Sequence, residues 1–270
     1  MTTLEWRQVT VTFPDPHNAE ETARRHLAPI LAEAECRQLI SAWFYIRKGA
    51  WRLRYAPTAI GSDRYIDDAL ERLTRDHLLH DTVAGIYEPE MYAFGGAEAM
   101  DAAHQLWHQD SRHLLIDGEG AAVRQRETSI MLLAAMMRAA LLDWYEQGDV
   151  WARVAAHRDS PKPGAVASLL TGAKRLLTVD LISLAQQEAS LIGHQTLIEA
   201  YASAGNALQS LNSSGRLHRG LRDILAHHVL FSWNRRGVPG LQQAALAAAA
   251  KTAVFGPDPT LDVPVPEGLS

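Results

Sequence analysis

The chain has 270 residues, a net charge of −5, 47% hydrophobic and 21% charged residues, the values of a globular protein with a sizeable core. That charge argues against a whole-surface nucleic-acid binder, and a single cysteine, Cys36, excludes an intrachain disulfide or a cysteine-based zinc site. The N-terminus lacks a signal-peptide pattern, and the most apolar run, 130–142, is interrupted by Arg138 and falls short of the roughly 18 residues a membrane span needs. A soluble cytoplasmic protein with neither nucleic-acid nor membrane partner is expected.

Val9, Val11 and Phe13 alternate with Thr10 and Thr12, the period-2 pattern of a half-buried strand. Asn18, with Glu20 and Glu21 behind it, predicts a capped helix to about residue 35, which Pro29 should kink or break. Two aromatic-rich runs, 39–47 and 51–56, flank Lys48-Gly49-Ala50 and predict a hairpin. Ser62 or Asp63 then caps a helix through about residue 79, and 82–87 reads as one more strand. The order βαββαβ predicts a ferredoxin-like split unit.

From Gly95 onward the strand signals vanish. Helices are predicted near 97–115, 126–146, 149–157, 165–177, 180–211, 217–235 and 240–254, punctuated by Gly and Pro at 160–164 and 237–240. The predicted class is α+β: a ferredoxin-like βαββαβ sheet unit over 1–95, a mainly helical unit over 96–256 packed on it, and a loose tail over 257–270.

Alternate side chains of a strand share a face, so Arg52 and Arg54 point together while Trp51, Leu53 and Tyr55 point the other way. Such a face is either solvated or binds a carboxylate or a run of peptide carbonyls. In the Pro- and Gly-marked loop 87–96, Glu90 is placed to pair with one of these arginines or to meet only water. On the helix 97–115, Met100, Ala103, Trp107 and Leu114 form an apolar stripe, and Asp101, His104, His108 and Ser111 a polar one. His104 and His108 lie at i, i+4 but lack further ligands, so no metal is expected. Near the end of the helix 217–235, Asn234 and Arg235 either complement the helix dipole or grip a peptide backbone. Cys36 is expected to be a lone buried thiol. No nucleophile elbow, phosphate loop or dinucleotide fingerprint is present.

Four segments, in order, resemble a known family. Trp43-Phe44-Tyr45-Ile46-Arg47 followed by Trp51-Arg52-Leu53-Arg54 is similar to the Phe-Ile-Arg and Leu-Arg-Leu-Arg signatures of the lantibiotic dehydratase C-terminal domain. Tyr87-Glu88-Pro89-Glu90 with Phe94-Gly95-Gly96, then Trp107-His108-Gln109-Asp110-Ser111, is similar to its next block, and Asn234-Arg235 to its C-terminal helix. The resemblance runs from about residue 6 to 240. Members of this family eliminate glutamate from glutamylated Ser or Thr. Stand-alone relatives in thiopeptide pathways either do the same or act as pyridine synthases, joining two dehydroalanines of one peptide in a formal aza-[4+2] cycloaddition.

Eliminating members usually carry an Arg before the aromatic-Gly-Gly, where this chain has Ala93, and a His close to Asn-Arg, where it has Ser232. The pyridine synthase resemblance therefore implies ring closure on an azole-containing precursor peptide, with loss of water and the leader and with no cofactor. It implies Arg52, Arg54, Tyr92 and His108 as donors or acid–base groups, with Glu90 orienting the arginines. Tyr45, Phe94 and Trp233 become walls for a flat macrocycle, and Asp110, Ser111, Ser232, Asn234 and Arg235 become further substrate contacts. The implied partners are the modified precursor peptide and other enzymes of the same pathway. A sheet edge or an interhelical groove would take the leader. The alternatives are a glutamate eliminase and a non-catalytic leader-binding partner.

Overall fold

The computed structural model describes residues 6–117, 122–181, 183 and 194–256. Four strands form one antiparallel sheet: β1 (Arg7–Thr12), β2 (Ile40–Lys48), β3 (Ala50–Pro57) and β4 (Asp81–Gly85), in the order β2-β3-β1-β4. The predicted hairpin joins β2 to β3 through Gly49, whose φ of +80° is open to a residue without Cβ.

The first helical stretch is continuous but irregular, running through α1 (Ala19–Thr22), a π-helical turn (Ala23–Leu27) and α2 (Ala28–Cys36). Pro29 has no N–H to complete an α-helical ladder, and the wider turn just before it absorbs the defect. Asn18 precedes α1, but its side chain donates to Asp15 Oδ2 (2.7 Å) instead of capping. Cys36 ends α2 and is exposed, not buried as its helical setting suggested. The next helix, α3 (Arg64–Arg75), stops short of the expected residue 79, and His77 turns the chain into β4 with a φ of +58°.

Period-2 alternation sorts the sheet into two faces. Val9, Val11, Trp43, Tyr45, Trp51, Leu53 and Tyr55 pack under the helices, against Leu27, Leu31, Ile66 and Leu70. Phe44 points the opposite way and joins the core of the helical half. Burying each such large apolar side chain is worth about 1.5–3 kcal/mol.

That half comprises α4 (Ala97–Arg112, continued by a π-helical turn, His113–Asp117), α5 (Ala122–Ala139), α6 (Trp144–Ala156), α7 (Pro163–Thr178), α8 (Gln195–Ser213), α9 (Leu221–Arg235) and α10 (Gly240–Phe255). The helix expected over 126–146 ends at Ala139, and its last residues join the helix expected over 149–157 as α6. Leu141 adopts a left-handed φ of +61°, and Asp143 opens α6 with a capping box, accepting from Glu146 N (2.8 Å) while Glu146 Oε2 accepts from Asp143 N (3.0 Å). Helix α9 begins at Leu221, later than the expected 217. The start of the helix expected over 180–211 lies in part, and the tail 257–270 wholly, outside the described residues. Trp107, Trp151, Tyr201 and Trp233 are fully buried at the centre. Helices α5 and α8 approach closely at Gly205, where a Cβ would stand 2.3 Å from Met136 O. Among the described residues no helix is long and apolar enough to cross a membrane.

Candidate functional site

The face of the sheet turned to the helical half carries Arg54 between its cross-strand neighbours Phe44 on β2 and Gln8 on β1. Arg54 Nε donates to Gln8 Oε1 (2.8 Å), and the guanidinium lies over the rings of Tyr87 (4.2 Å) and Phe44 (5.3 Å). The side chain is buried and its Nη1 has no partner. Arg52, on the same face two residues earlier, is exposed. Alternation set the shared face, and the helical cover reaches only one of the two. Burial lowers the Arg54 pKa, the Tyr87 and Glu90 charges oppose that effect, and Arg52 adds to it. Glu90 itself is exposed and makes no ion pair with either arginine.

Beside Arg54, Tyr87 Oη and His104 Nε2 share a hydrogen bond (2.8 Å), and Trp6 packs at a tilt of 37° on the imidazole with centroids 4.6 Å apart. His104 therefore does not lie on a polar helix face as its spacing suggested. Burial, helped by the Arg54 charge, lowers its pKa to about 4, so the ring is neutral at pH 7.

A second polar cluster lies inside the helical half. Asp110 on α4 accepts from Arg235 Nε (2.8 Å) and Tyr201 Oη (3.0 Å), and from Arg236 through Nη2 (2.6 Å) and Nη1 (2.9 Å). Ser232 Oγ bonds Tyr201 Oη (3.0 Å) and accepts from Arg236 Nη1 (2.7 Å). Burial alone would raise the Asp110 pKa, but the two guanidiniums outweigh it and bring it down to about 2. Two arginines on one carboxylate leave a positive charge in the interior. Arg235 directs it toward the Trp107 ring (5.7 Å), and its Nη1 is unpartnered. Tyr201 and Arg236 were missed in the sequence reading. The available signals were the basic pair Arg235-Arg236 and a phenol within an apolar helix.

His108 and Ser111 reach the outer edge of β2. His108 Nδ1 lies 3.2 Å from Trp43 N and 3.0 Å from Trp43 O, and Tyr45 N donates to Ser111 Oγ (3.4 Å). His108 Nε2 meets Glu35 Oε1 (3.1 Å), and Arg112 Nη1 meets Glu35 Oε2 (2.9 Å). Burial would raise the Glu35 pKa, but the His108 hydrogen bond and the charges of His108 and Arg112 lower it. No contact among the described residues joins His108 to Arg54, so these two expected partners are not brought together.

Tyr45, Phe94, Asp110, Ser111, Ser232, Trp233 and Arg235 are each at most 1% exposed, and their partners are interior ones. Tyr45 stacks on Trp51 (4.7 Å), with its phenol pushed up to about 12 chiefly by burial. Phe94 packs on Trp107, His228 and Phe231, and Trp233 Nε1 donates to Ser129 Oγ (3.0 Å). Asn234 is half-buried and accepts from Gln243 (3.1 Å). Tyr92 is exposed, with Arg219 5.8 Å from its ring. His228, a turn before Ser232, is buried with neither ring nitrogen partnered, and burial lowers its pKa to about 3. No three His, Cys, Asp or Glu side chains among the described residues are grouped to hold a metal ion.

A small antiparallel sheet, with helices over one face and the helical half covering part of the other beside Arg54, defines an α+β protein. The chain belongs to the lantibiotic biosynthesis dehydratase C-terminal family, whose pattern matches residues 6–254. Among solved structures it is similar to the tRNA-dependent lantibiotic dehydratase MibB from Microbispora sp. 107891, with 19% identity, TM-score 0.69, and coverage of 93% of this chain and 28% of that one. The chain thus spans little more than a quarter of that enzyme. It is also similar to the pyridine synthase TbtD from thiomuracin biosynthesis (14% identity, TM-score 0.62, 93% and 97% covered) and to TsrL (15%, 0.59, 92% and 94%). At these identities the likeness establishes the fold. No curated protein matches the chain.

Proposed function

We propose that this protein modifies a ribosomally made peptide and closes the central pyridine ring of a thiopeptide. Two dehydroalanines of an azole-containing precursor join in a formal aza-[4+2] cycloaddition, which forms two C–C bonds, one between the two methylene carbons and one from the second dehydroalanine's Cα to the iminol carbon of the first. Loss of water and of the leader peptide then makes the ring aromatic. Family membership supports peptide modification, and likeness to a pyridine synthase along 97% of its length supports the particular reaction.

The observation that carries the choice is Ser232. Glutamate elimination needs a base for an α-proton, and where eliminating members carry a His near Asn-Arg this chain has a serine locked between Tyr201 and Arg236. The nearest imidazole, His228, has a pKa of about 3, far from the value near the working pH that makes an effective base. Cycloaddition asks for positioning instead, which supplies about 7–11 kcal/mol in well-oriented intramolecular reactions. Donors to the amide oxygen of the azadiene add to that. The unpartnered Arg54 Nη1 is one such donor. Exposed Arg52 and Tyr92, with half-buried Asn234, are further contacts. In this reading the fully buried residues hold the walls in place.

The same reading takes residues 1–95 as a ferredoxin-like unit and 96–256 as a helical unit, supported by two strand–helix–strand connections that each skip one strand. Incubation with a leader-bearing peptide rich in azoles and dehydroalanines tests the function. Mass spectrometry should find a free leader and a dehydrated macrocycle. Loss of glutamate from a glutamylated peptide whose leader stays attached selects the eliminase instead.

A further inference from the structure

The two edges of the sheet are treated differently. The outer edge of β2 is closed by α4, through His108 and Ser111. The outer edge of β4 is open: among the described residues, no backbone group of residues 81–85 bonds to an element other than β1. The one side-chain bond there is local, from Thr82 N to Asp81 Oδ1 (2.8 Å). The surface along this edge is apolar. Val83, Ile86, Met91 and Tyr92 are four of the nine exposed large hydrophobic residues described, and they fall within ten consecutive positions. Idle edges are usually blunted by lysine, proline or a covering element. Strand β4 carries neither residue, and residues 76–111 contain no lysine or arginine at all.

We propose that β4 is the dock for an extended segment of the precursor peptide, which adds as a fifth strand. The idea rests on the peptide-modifying function above. Main-chain bonds would supply the pairing, and exposed Val83 would meet an apolar side chain on its own face of the peptide, where alternate positions align. Exposed Asp81, Glu88 and Glu90 make the edge acidic, so the complementary segment carries lysine or arginine. The same charges disfavour a second copy of this chain, because edge-to-edge pairing would bring two acidic strips together. The edge also leads to the candidate site. Gly85 is paired with Gln8, which holds Arg54, and the chain leaves β4 directly for Tyr87 under that guanidinium.

The probe is a labelled decapeptide of alternating lysine and valine, titrated against the full chain by fluorescence anisotropy, with amide hydrogen exchange to locate it. Binding should slow exchange across residues 81–86. It should fall at least tenfold when alternate peptide nitrogens are methylated, and likewise in the Val83→Lys variant, which sets a like charge against the basic peptide, checked for an unchanged melting temperature. Equal binding by the methylated peptide, or protection confined to other elements, overturns the dock. So does a dimer in sedimentation equilibrium that the same variant dissolves. Turnover of a leader-bearing substrate is measured separately. Turnover with unchanged KM in Val83→Lys refutes the dock and leaves the function standing, whereas β4 protection without any turnover refutes ring closure alone.

Discussion

Arg236 grips Asp110 with both terminal nitrogens, Nη2 to Oδ1 at 2.6 Å and Nη1 to Oδ2 at 2.9 Å, across 126 residues of sequence and in the buried interior. The pair fastens the end of α9 to α4, and Arg235, Tyr201 and Ser232 complete the shell. Taking such ions out of water is costly, so the cluster is worth most as a constraint on how the helices dock.

Asp110→Asn leaves two buried guanidiniums without a counter-charge and should cost about 3–5 kcal/mol in chemical denaturation. The wild-type carboxyl has its pKa lowered from 3.8 to about 2. Its stabilising contribution is therefore complete above pH 3.8 and fades as pH falls toward 2. Urea midpoints taken down that interval should drop more steeply for wild type than for Asp110→Asn. Parallel curves would show that the charge contributes nothing.

The buried imidazoles act over a higher interval. Burial lowers His104 and His228 from 6.5 to about 4 and about 3. The folded state then refuses protons that the unfolded state takes up below pH 6.5, and stability is lost as pH falls from there. Since neither nitrogen of His228 has a partner, His228→Leu should be neutral to stabilising at pH 7. It should also reduce the acid sensitivity between pH 6.5 and 4. A loss of more than about 2 kcal/mol at pH 7, the cost of stripping a partner from a buried polar group, would mean that the ring has a partner in solution.

The strand arginines should separate. Arg54→Met keeps much of the packing on Phe44 and Tyr87 but removes the free donor. If that donor serves the reaction, ring formation should fall by about 10²–10³ with the fold intact by circular dichroism. Arg52→Ala, on an exposed side chain, should change stability by no more than about 0.5 kcal/mol and rate by less than Arg54→Met. Equal rates for Arg54→Met and wild type would take Arg54 out of the site.

Gly205→Ala probes the contact between α5 and α8. The new Cβ would sit 2.3 Å from Met136 O and 2.8 Å from Ala139 Cβ, and neither neighbour can swing away as a flexible side chain would. The helices must separate, at a cost of about 1–3 kcal/mol, readable as a lowered melting temperature. An unchanged melting temperature would show that the two helices have room to part.

Local pattern and tertiary cover divide this protein between them. Val9, Val11 and Phe13 mark their strand by alternation. Gly49 marks the hairpin, and Asp143 with Glu146 carries a capping signature within the very stretch read as one helix. All of these are interactions between residues a few positions apart, so the sequence by itself determined them, and the family blocks with them. The same alternation determines that Arg52 and Arg54 share a face, but not that one is exposed and the other 5% exposed. That depends on Tyr87 and α4, which come from elsewhere in the chain. Spacing likewise puts His104, His108, Asp110 and Ser111 on α4 without saying what faces them. A polar stripe can turn inward once it meets Tyr87, the edge of β2, or Arg235 and Arg236. Burying those groups is favourable only when a partner is present, and the partners lie 17 to 126 residues away, beyond the reach of any local periodicity.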